Sequence, residues 1–324
     1  MSIRKDSILT PEAEDFLSQW RDDSSMIVAH TSGSTGSPKR IELAKSDMCA
    51  SAEATVRFFD LHAGSTLYLP LSPGYIAGKM QIVRAEIAGC RLIVSPPSID
   101  MSRLHSPLPP EIDMLPIVPA QLSGLIDSPL SALTRHVIIG GAPLSTAEEQ
   151  RALAAPFTSW ATYGMTETCS HVALRPLGET DYRGLPGYTF STDSRGCLVI
   201  DNPSMSFGLL ITNDRVELKS PVSFRWLGRI DNVIISGGLK IHPEEVESLI
   251  APWMPLNATF YVAGRPSEKW GREAVLVTDS DEVTDALLAT LRLHLPPRLV
   301  PKAIIRVPEI SLTASGKILR TLNS

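Results

Sequence analysis

A short segment near the start of the chain combines two glycines, five hydroxyl side chains and a lysine. It occupies residues 31–39, with the sequence TSGSTGSPK, and follows an apolar run at 26–29 that predicts a buried strand. Glycine lets the backbone turn sharply and approach a ligand closely. Exposed amides and hydroxyls form a nest for an anion, and the lysine adds a positive charge. The segment favours a phosphate-binding loop, although alone it could be a polar strand-to-helix turn that binds nothing.

The spacing of this loop excludes the commonest phosphate-binding motif. Gly33 and Gly36 are three residues apart and Lys39 follows a proline, so the GxxxxGK[ST] pattern is absent. A P-loop kinase or GTPase is therefore disfavoured.

Composition limits the remaining function classes. The 324 residues predict about two domains, and 43% apolar against 20% charged residues argues for a sizeable core. The net charge of −5 disfavours binding to nucleic acid or to anionic membranes. No signal peptide and no apolar run of about 18 residues is present. The cysteines at 49, 90, 169 and 197 form no CxxC pair, so we expect reduced thiols in a cytoplasmic protein.

Hydrophobic periodicity divides the chain into two parts. Helical and strand patterns alternate in the first part, which predicts an α/β domain with mixed sheets over residues 1–228. A proline-rich stretch at 96–119 shows little regular pattern, and Ser145 with Glu148 forms a predicted helix capping box. Residues 229–324 predict a small α+β domain with a ββαβ-like order. The predicted helices lie at 11–21, 45–59, 75–89, from 243 and at 281–295, and the predicted strands at 65–70, 91–94, 158–162, 257–263, 273–278 and 303–307.

Five segments, in this order along the chain, resemble the adenylate-forming superfamily of acyl-CoA synthetases, luciferases and nonribosomal-peptide adenylation domains. They are TSGSTGSPK at 31–39, GGAPL at 140–144, YGMTET at 163–168, TND at 212–214 with GRIDN at 228–232, and LTASGK at 312–317. The resemblance implies an adenylate-forming enzyme fold and an acid–thiol ligase that uses ATP, Mg²⁺ and coenzyme A. Any one of the segments alone would be weak evidence.

The resemblance also implies roles for individual residues. Thr35 and Thr166 would donate hydroxyls to the phosphates, and Glu167, with Thr35, would hold Mg²⁺, which prefers oxygen ligands. Tyr163 would face adenine, while Asp214 and Arg229 would bind ribose. The ATP- and AMP-binding set is Thr31, Ser32, Gly33, Ser34, Thr35, Gly36, Lys39, Gly140, Gly141, Ala142, Pro143, Tyr163, Gly164, Met165, Asp214 and Arg229. Taken singly, such residues are more often core tyrosines, turn formers or solvated charges.

In such a ligase the small domain would be a mobile lid. Lys317 would be the catalytic lysine, an electrostatic stabiliser of the adenylation transition state beside Thr166 and Glu167. The lid would turn about a hinge at Asp231 and replace Lys317 by a loop that lines the coenzyme A channel. The channel residues are Gly237, Gly238 and Lys240.

Three departures from the superfamily pattern narrow the prediction. Only 30 residues precede the loop, so we expect an N-terminal subdomain that is absent or much reduced. Arg40 stands where glycine is usual, and residues 69–75 lack the aromatic–histidine pair, which disfavours long-chain fatty acids. The chain is most similar to the compact o-succinylbenzoate–CoA ligases of menaquinone synthesis in the Bacteroidetes group. The segments that support this likeness are 75–80, Arg84 with 87–89, 92–98 and 161–175.

Such a substrate has two carboxylates, and the one that does not react needs a cation. Arg84 and Lys79, five residues earlier, are the candidate cations, and their spacing predicts that one binds while the other is exposed. Arg84 is the preferred partner because arginine binds a carboxylate bidentately, so Lys79 is expected to be exposed. Ser170 and His171 are further candidates for the acid-binding pocket. The alternatives are a ligase for another small acid, an enzyme that loads a carrier protein, and a catalytically silent nucleotide-binding scaffold. A homo-oligomer is possible.

Overall fold

The computed structural model describes residues 2–31, 39–101, 108–256, 258–312, 318–320 and 322. Its helices are α1 Pro11–Arg21, α2 Lys45–Phe58, α3 Ile76–Ala88, α4 Leu122–Ile126, α5 Leu130–Leu133, α6 Thr146–Leu153, α7 Pro243–Ile250 and α8 Asp285–His294. Its strands are β1 Met26–Thr31, β2 Lys39–Ala44, β3 Thr66–Leu69, β4 Arg91–Val94, β5 Ile112–Ile117, β6 Thr134–Ile139, β7 Thr158–Gly164, β8 His171–Pro176, β9 Asp181–Gly184, β10 Thr189–Thr192, β11 Cys197–Asp201, β12 Leu209–Ser220, β13 Ser223–Arg229, β14 Ile234–Ser236, β15 Leu239–Ile241, β16 Phe260–Ser267, β17 Gly271–Thr278 and β18 Ile304–Arg306.

One mixed sheet organises most of the molecule. Within the described residues its strand order is β10-β11-β12-β13-β9-β8-β7-β6-β5-β3-β4. The neighbouring strands β4, β3, β5, β6 and β7 pair in parallel, and β7 then pairs antiparallel with β8. Strand β7 therefore lies where the sheet changes from parallel to antiparallel pairing, and the motif at 163–168 begins at its end.

The parallel half is buried on both faces. Successive residues of a strand point to opposite faces. Leu67 and Ile138 accordingly belong to a core shared with α2 and α3, whereas Tyr68 and Val137 belong to a second core on the other face. The predicted α/β class with mixed sheets is confirmed.

Helix α3 is buried along almost its whole length. Its residues 78–86 are all buried, because the helix packs between the sheet and the helices α1 and α2. Polar side chains on this helix are consequently held inside the protein, which bears directly on Arg84.

The glycine-rich loop connects two antiparallel strands, not a strand and a helix. Strands β1 and β2 form a separate hairpin in which Thr31 pairs with Lys39, so the two ends of the loop lie side by side. The strand predicted at 26–29 is present, but it is buried on one face only. Ile27 is buried, whereas Val28 is 38% exposed.

The predicted elements of the first part lie close to their observed positions, although several strands and short helices, β5 among them, were not predicted. Helix α1 and strand β4 have the predicted bounds, and the Ser145–Glu148 capping box is present. No strand was predicted within residues 96–119, where the sequence shows little regular pattern, yet β5 lies there as a central strand. The strand contains Pro116, and proline within an apolar run argues against a central strand. Burial of Met114, Leu115 and Ile117 outweighs that local preference.

The C-terminal part contains the hairpin β14–β15 and a three-stranded sheet, β16-β17-β18, with α7 and α8. Its core includes Val246, Val262, Leu276 and Leu291. Helix α8 begins at Asp285, four residues later than predicted, and β16 extends to Ser267. No described helix has the length and apolar content that spanning a bilayer requires.

Candidate active site

The segment after β7 makes a sharp turn that only glycine permits. A Cβ on Gly164 would lie 2.3 Å from the carbonyl oxygen of Ser170. Residues Thr166–Thr168 then form a 3₁₀ turn, and Cys169 follows with a φ of +61°, unusual for a residue with a side chain. The turn brings Glu167 and Ser170 close to the end of β7.

A buried carboxylate organises the predicted ribose site. Asp214 is 6% exposed, and it accepts hydrogen bonds from Tyr163 Oη at 2.9 Å and from Trp226 Nε1 at 3.1 Å. Arg229 Nη1 lies 3.5 Å from the same carboxylate, because Asp214 and Arg229 are paired across β12 and β13. Burial and the Asp214 charge raise the pKa of Tyr163, which therefore stays protonated as a donor. The structure thus brings these three predicted residues together.

Residues 140–143 follow β6 at the same edge of the sheet. Ile139 pairs with Ala161, so Gly140 lies beside Thr162, next to Tyr163. A Cβ on Gly140 would be 2.7 Å from Thr162 Oγ1, so its backbone faces β7 without a side chain between them. Gly141, Ala142 and Pro143 follow Gly140 in the chain, and Gly141 has a φ of +95°.

Two predicted parts of the site fall outside the described residues. They are the loop residues Ser32, Gly33, Ser34, Thr35 and Gly36, and the lysine Lys317. The flanks of the second segment are described: Leu312 and Ile318 form an antiparallel bridge, and Arg320 Nη2 lies 2.8 Å from Glu247 Oε2 of α7. The base of the Lys317 segment is therefore attached to the small domain.

Glu167 is the described residue best suited to hold Mg²⁺. Its carboxylate is exposed and makes no hydrogen bond or ion pair with any described residue. No described group of three or more histidine, cysteine or acidic side chains could hold a metal ion. One protein carboxylate together with phosphates and water is an arrangement that Mg²⁺ accepts, so Glu167 fits the predicted role.

Arg84 is a buried cation without a protein counter-charge. It is 2% exposed, and its Nη2 donates to Ser170 Oγ at 2.5 Å. Its Nη1 donates to Gln81 Oε1 at 3.4 Å, whereas its Nε has no hydrogen-bond partner. No described carboxylate forms an ion pair with it, and burial lowers the pKa of Arg84 to about 9. The guanidinium is therefore only partly satisfied.

Lys79 does not lie where it was expected. It is 9% exposed, not solvated, and its Nζ lies 4.5 Å from the centre of the Phe16 ring in α1. Burial lowers the pKa of Lys79. Its ammonium faces α1, whereas Arg84 faces Ser170, so the two cations do not meet.

The predicted hinge is bound on both sides. Asp231 accepts from Arg229 Nη2 at 2.6 Å and from Asn213 Nδ2 at 3.1 Å. Its neighbour Asn232 donates to Glu244 Oε1 of α7 at 2.5 Å. Asp231 is therefore bonded to residues of β12 and β13, and its neighbour Asn232 is bonded to α7.

The predicted channel residues Gly237 and Gly238 form the turn of β14–β15, at φ of +55° and +81°, beside Lys240. A Cβ on Gly237 would be 2.5 Å from the Trp270 ring. Next to the turn is a cavity of about 120 Å³, whose lining includes Trp270, Arg298 and Lys302. The structure records no ion pair of either cation with a described carboxylate.

Residues 5–204 match the family described as AMP-binding enzyme, which is well over half of the chain. The chain belongs to this family. The resemblance to adenylate-forming enzymes is thereby confirmed, and the fold agrees with it.

Solved structures similar to this chain are adenylate-forming enzymes. A structure from Dyadobacter fermentans, described as an acyl-CoA synthetase (AMP-forming)/AMP-acid ligase II-like protein, is 33% identical, with a TM-score of 0.65 over 95% of this chain and 91% of that one. The AMP complex of o-succinylbenzoate coenzyme A synthetase from Bacillus subtilis has a TM-score of 0.77, with 22% identity over 92% of this chain and 68% of that one. At that identity the likeness shows the fold alone.

Among curated relatives are ligases for quite different acids. The 2-succinylbenzoate–CoA ligase of Listeria monocytogenes is 26% identical over 95% of this chain and 72% of its own length. The long-chain-fatty-acid–CoA ligase FadD13 of Mycobacterium tuberculosis is 27% identical over 93% of this chain and 67% of its own length. The chain thus spans about two thirds of the length of such relatives.

Sequence reasoning missed several residues that complete these sites. Trp226 contacts Asp214 from the neighbouring strand, and Thr55 lies 116 residues from His171. Trp270 and Arg298 line a cavity that no motif marks. The one local signal near this cavity is Gly271, which follows Trp270 and is a residue type that favours turns.

Proposed function

We propose that this protein is an AMP-forming acid–CoA ligase whose acid is o-succinylbenzoate, an intermediate of menaquinone synthesis. The succinyl carboxylate attacks the α-phosphorus of ATP and expels pyrophosphate, which gives an acyl-adenylate. The thiol of coenzyme A then attacks the acyl carbon and AMP leaves. The proposal rests above all on one observation, the buried and uncompensated charge of Arg84.

A buried charge without a partner is costly, and a ligand carboxylate can supply the missing counter-charge. Arg84 is bonded to Ser170, which is half-buried next to the turn that contains Glu167. A carboxylate at Ser170 would come within reach of the guanidinium, which binds such groups bidentately. The second carboxylate of an aromatic diacid meets this requirement, whereas a fatty acyl tail would meet an unpaired cation.

The nucleotide would bind at the preformed cluster around Asp214. Its carboxylate and Arg229 can bond the ribose hydroxyls, and Tyr163 lies close to Gly140. Mg²⁺, held through Glu167, would neutralise phosphate charge. Lys317 would approach the α-phosphate from the small domain.

The cavity at Trp270 favours coenzyme A over a carrier protein as the thiol donor. A ring that is 42% exposed and two cations without ion pairs suit a base and phosphates. Only the free coenzyme has such a nucleotide end, and Gly238, where a Cβ would meet no atom within 4 Å, leaves room for its pantetheine arm.

The deciding experiment is ATP–pyrophosphate exchange with a panel of acids. We expect exchange with o-succinylbenzoate and a preference of about thirtyfold or more in kcat/KM over 4-oxo-4-phenylbutanoate, which lacks the ring carboxylate. Equal use of both acids would remove the diacid assignment. Exchange only with long-chain acids would favour the FadD13-like alternative, and no exchange with any acid would favour a silent scaffold.

The second half-reaction gives an independent test of Lys317. We expect Lys317→Ala to lower the adenylation rate by roughly 10²–10³-fold, because a preorganised cation stabilises charge in the transition state. Formation of the thioester from supplied acyl-adenylate should change little. Lys5→Ala, at an exposed lysine, is the matched control. A variant that loses both half-reactions equally would contradict the role.

A further inference from the structure

A series of hydrogen bonds connects Arg84 to helix α2. Arg84 Nη2 contacts Ser170 Oγ at 2.5 Å, and Ser170 Oγ lies 3.3 Å from His171 Nδ1. His171 Nε2 lies 3.1 Å from Thr55 Oγ1, which in turn contacts the carbonyl oxygen of Ser51 at 3.3 Å. His171 is 6% exposed and Thr55 is fully buried, so water cannot readily replace these bonds.

The two ends of the series fix the direction of every bond. A guanidinium only donates and a carbonyl only accepts. Ser170 Oγ therefore accepts from Arg84 and gives its own proton to His171 Nδ1. The ring must then have its proton on Nε2, where it donates to Thr55, and Thr55 donates to Ser51. The reverse order would leave the Ser170 proton without an acceptor and break the Thr55–Ser51 bond.

We propose that His171 and Thr55 are positioning residues for acid recognition, and that His171 is neutral with its proton on Nε2. They hold the Ser170 hydroxyl in the orientation that accepts from Arg84 and so aim the guanidinium at the second carboxylate of the acid. The positioning role rests on the proposed function, whereas the order of the bonds does not.

A neutral histidine is suited to this position for an electrostatic reason. A carboxylate in its place would neutralise Arg84 and repel the incoming acid. A protonated imidazole would add a second buried positive charge beside the guanidinium and would leave Ser170 with two donors and no acceptor. The neutral ring orients the guanidinium through Ser170 without cancelling its charge. Both ring nitrogens are occupied, so His171 acts through Ser170 and does not itself bind the acid.

The tautomer can be read directly from the full-length protein without substrate. Side-chain ¹⁵N spectra of histidine-labelled protein at neutral pH should show a protonated Nε2 and an unprotonated Nδ1 for His171. The chain has seven histidines, so His171→Asn identifies the signals by their loss. A protonated Nδ1, or protons on both nitrogens, would overturn the proposed order of bonds.

Thr55→Val tests the positioning role because it keeps the shape of the side chain and removes the hydroxyl. We expect the KM for o-succinylbenzoate to rise roughly fivefold, the loss of one net hydrogen bond. The kcat, and the KM for 4-oxo-4-phenylbutanoate, should stay unchanged. Thr290→Val is the matched control, since Thr290 makes the same type of bond to its own helix on the surface of α8. An equal rise for both acids, or a fall in kcat alone, would overturn the role.

Arg84→Met separates this inference from the proposed function. If this variant leaves the KM for the diacid unchanged, both the proposed substrate contact and the positioning role are wrong. The ¹⁵N measurement of the His171 tautomer then still tests the order of the hydrogen bonds. If Arg84→Met raises the KM and Thr55→Val does not, the substrate assignment stands and the positioning role is overturned.

Discussion

Two buried charges at the site have opposite surroundings. Asp214 receives hydrogen bonds from Tyr163 and Trp226 and lies 3.5 Å from Arg229. Arg84 is more deeply buried, yet its described partners are the neutral groups of Ser170 and Gln81. The first charge is satisfied by the protein itself, whereas the second needs a charge from elsewhere.

The difference indicates what each site is prepared for. On the proposed function, Asp214 binds the ribose, which is the same in every reaction of an ATP-dependent ligase, so a preformed cluster would cost nothing in selectivity. A charge that only the correct acid neutralises rejects acids without a second carboxylate, because they would leave Arg84 unpaired. On the proposed function, selectivity for the acid would depend on this unsatisfied group.

Removal of Asp214 should have the largest effect on both folding and activity. Asp214→Ala leaves the donors of Tyr163, Trp226 and Arg229 without their acceptor, so we expect a loss of about 3–5 kcal/mol of stability. The kcat/KM for ATP should fall on the order of a hundredfold or more. Urea unfolding and exchange kinetics measure the two effects. Glu217→Ala, at an exposed carboxylate in the same strand, should change neither.

Removal of Arg84 should affect activity but not folding. Arg84→Met replaces an uncompensated buried charge by an apolar side chain of similar length, so the melting temperature should stay the same or rise. The KM for o-succinylbenzoate should rise about thirtyfold or more. Arg57→Met, at an exposed arginine of α2, is the matched control. A strongly destabilised Arg84→Met protein would show that the charge is satisfied after all.

The pH dependence should follow the pKa of Arg84, which burial lowers from its ordinary value of 12.5 to about 9. Below about pH 9 the guanidinium is charged, so the KM for the diacid should be flat there and rise above it. The unfolded chain keeps its proton to higher pH, so the ligand-free protein should gain stability as the pH rises through about 9. Bound diacid should abolish this gain. A KM for the mono-acid that rises in parallel would argue against Arg84 as the cause.

The smallest effect belongs to a single donor of the satisfied cluster. Tyr163→Phe removes one hydrogen bond to Asp214 and keeps the ring, so the KM for ATP should rise roughly fivefold. Tyr182→Phe removes a hydroxyl from the neighbouring ring, which meets that of Tyr163 edge to face, and should leave the KM for ATP unchanged. An unchanged KM in Tyr163→Phe would mean that Arg229 and Trp226 suffice to hold Asp214.

The sequence predicted secondary structure correctly where local residue preferences and the burial of the element favour the same conformation. Helix α1 has a capping threonine, a proline in its first turn and apolar residues at helical spacing, and it has the predicted bounds. Strand β5 was missed because Pro116 is a poor strand residue. Pairing with β3 and β6, which lie on either side of it, stabilises the strand in spite of that proline. The exposed position predicted for Lys79 failed for a similar reason, since α1 covers that side of α3.

The candidate site likewise contains residues that the sequence predicted and residues that it did not. The motifs predicted that Asp214, Arg229 and Tyr163 belong together, because the order of short segments is a property of the chain itself. The partners Trp226 and Thr55 were not predictable, because nothing near them in sequence marks a hydrogen bond made across strands or between helices.

By itself, the sequence determined the class of the fold, the family and the residue types available for nucleotide chemistry, since these depend on periodicity and on the composition of contiguous segments. Only the tertiary structure decided that Arg84 forms no ion pair with a described carboxylate and that Ser170 connects it to His171. Burial and the absence of a counter-ion are properties of packed neighbours, and those neighbours come from α2, α3 and the turn after β7, which are distant in sequence.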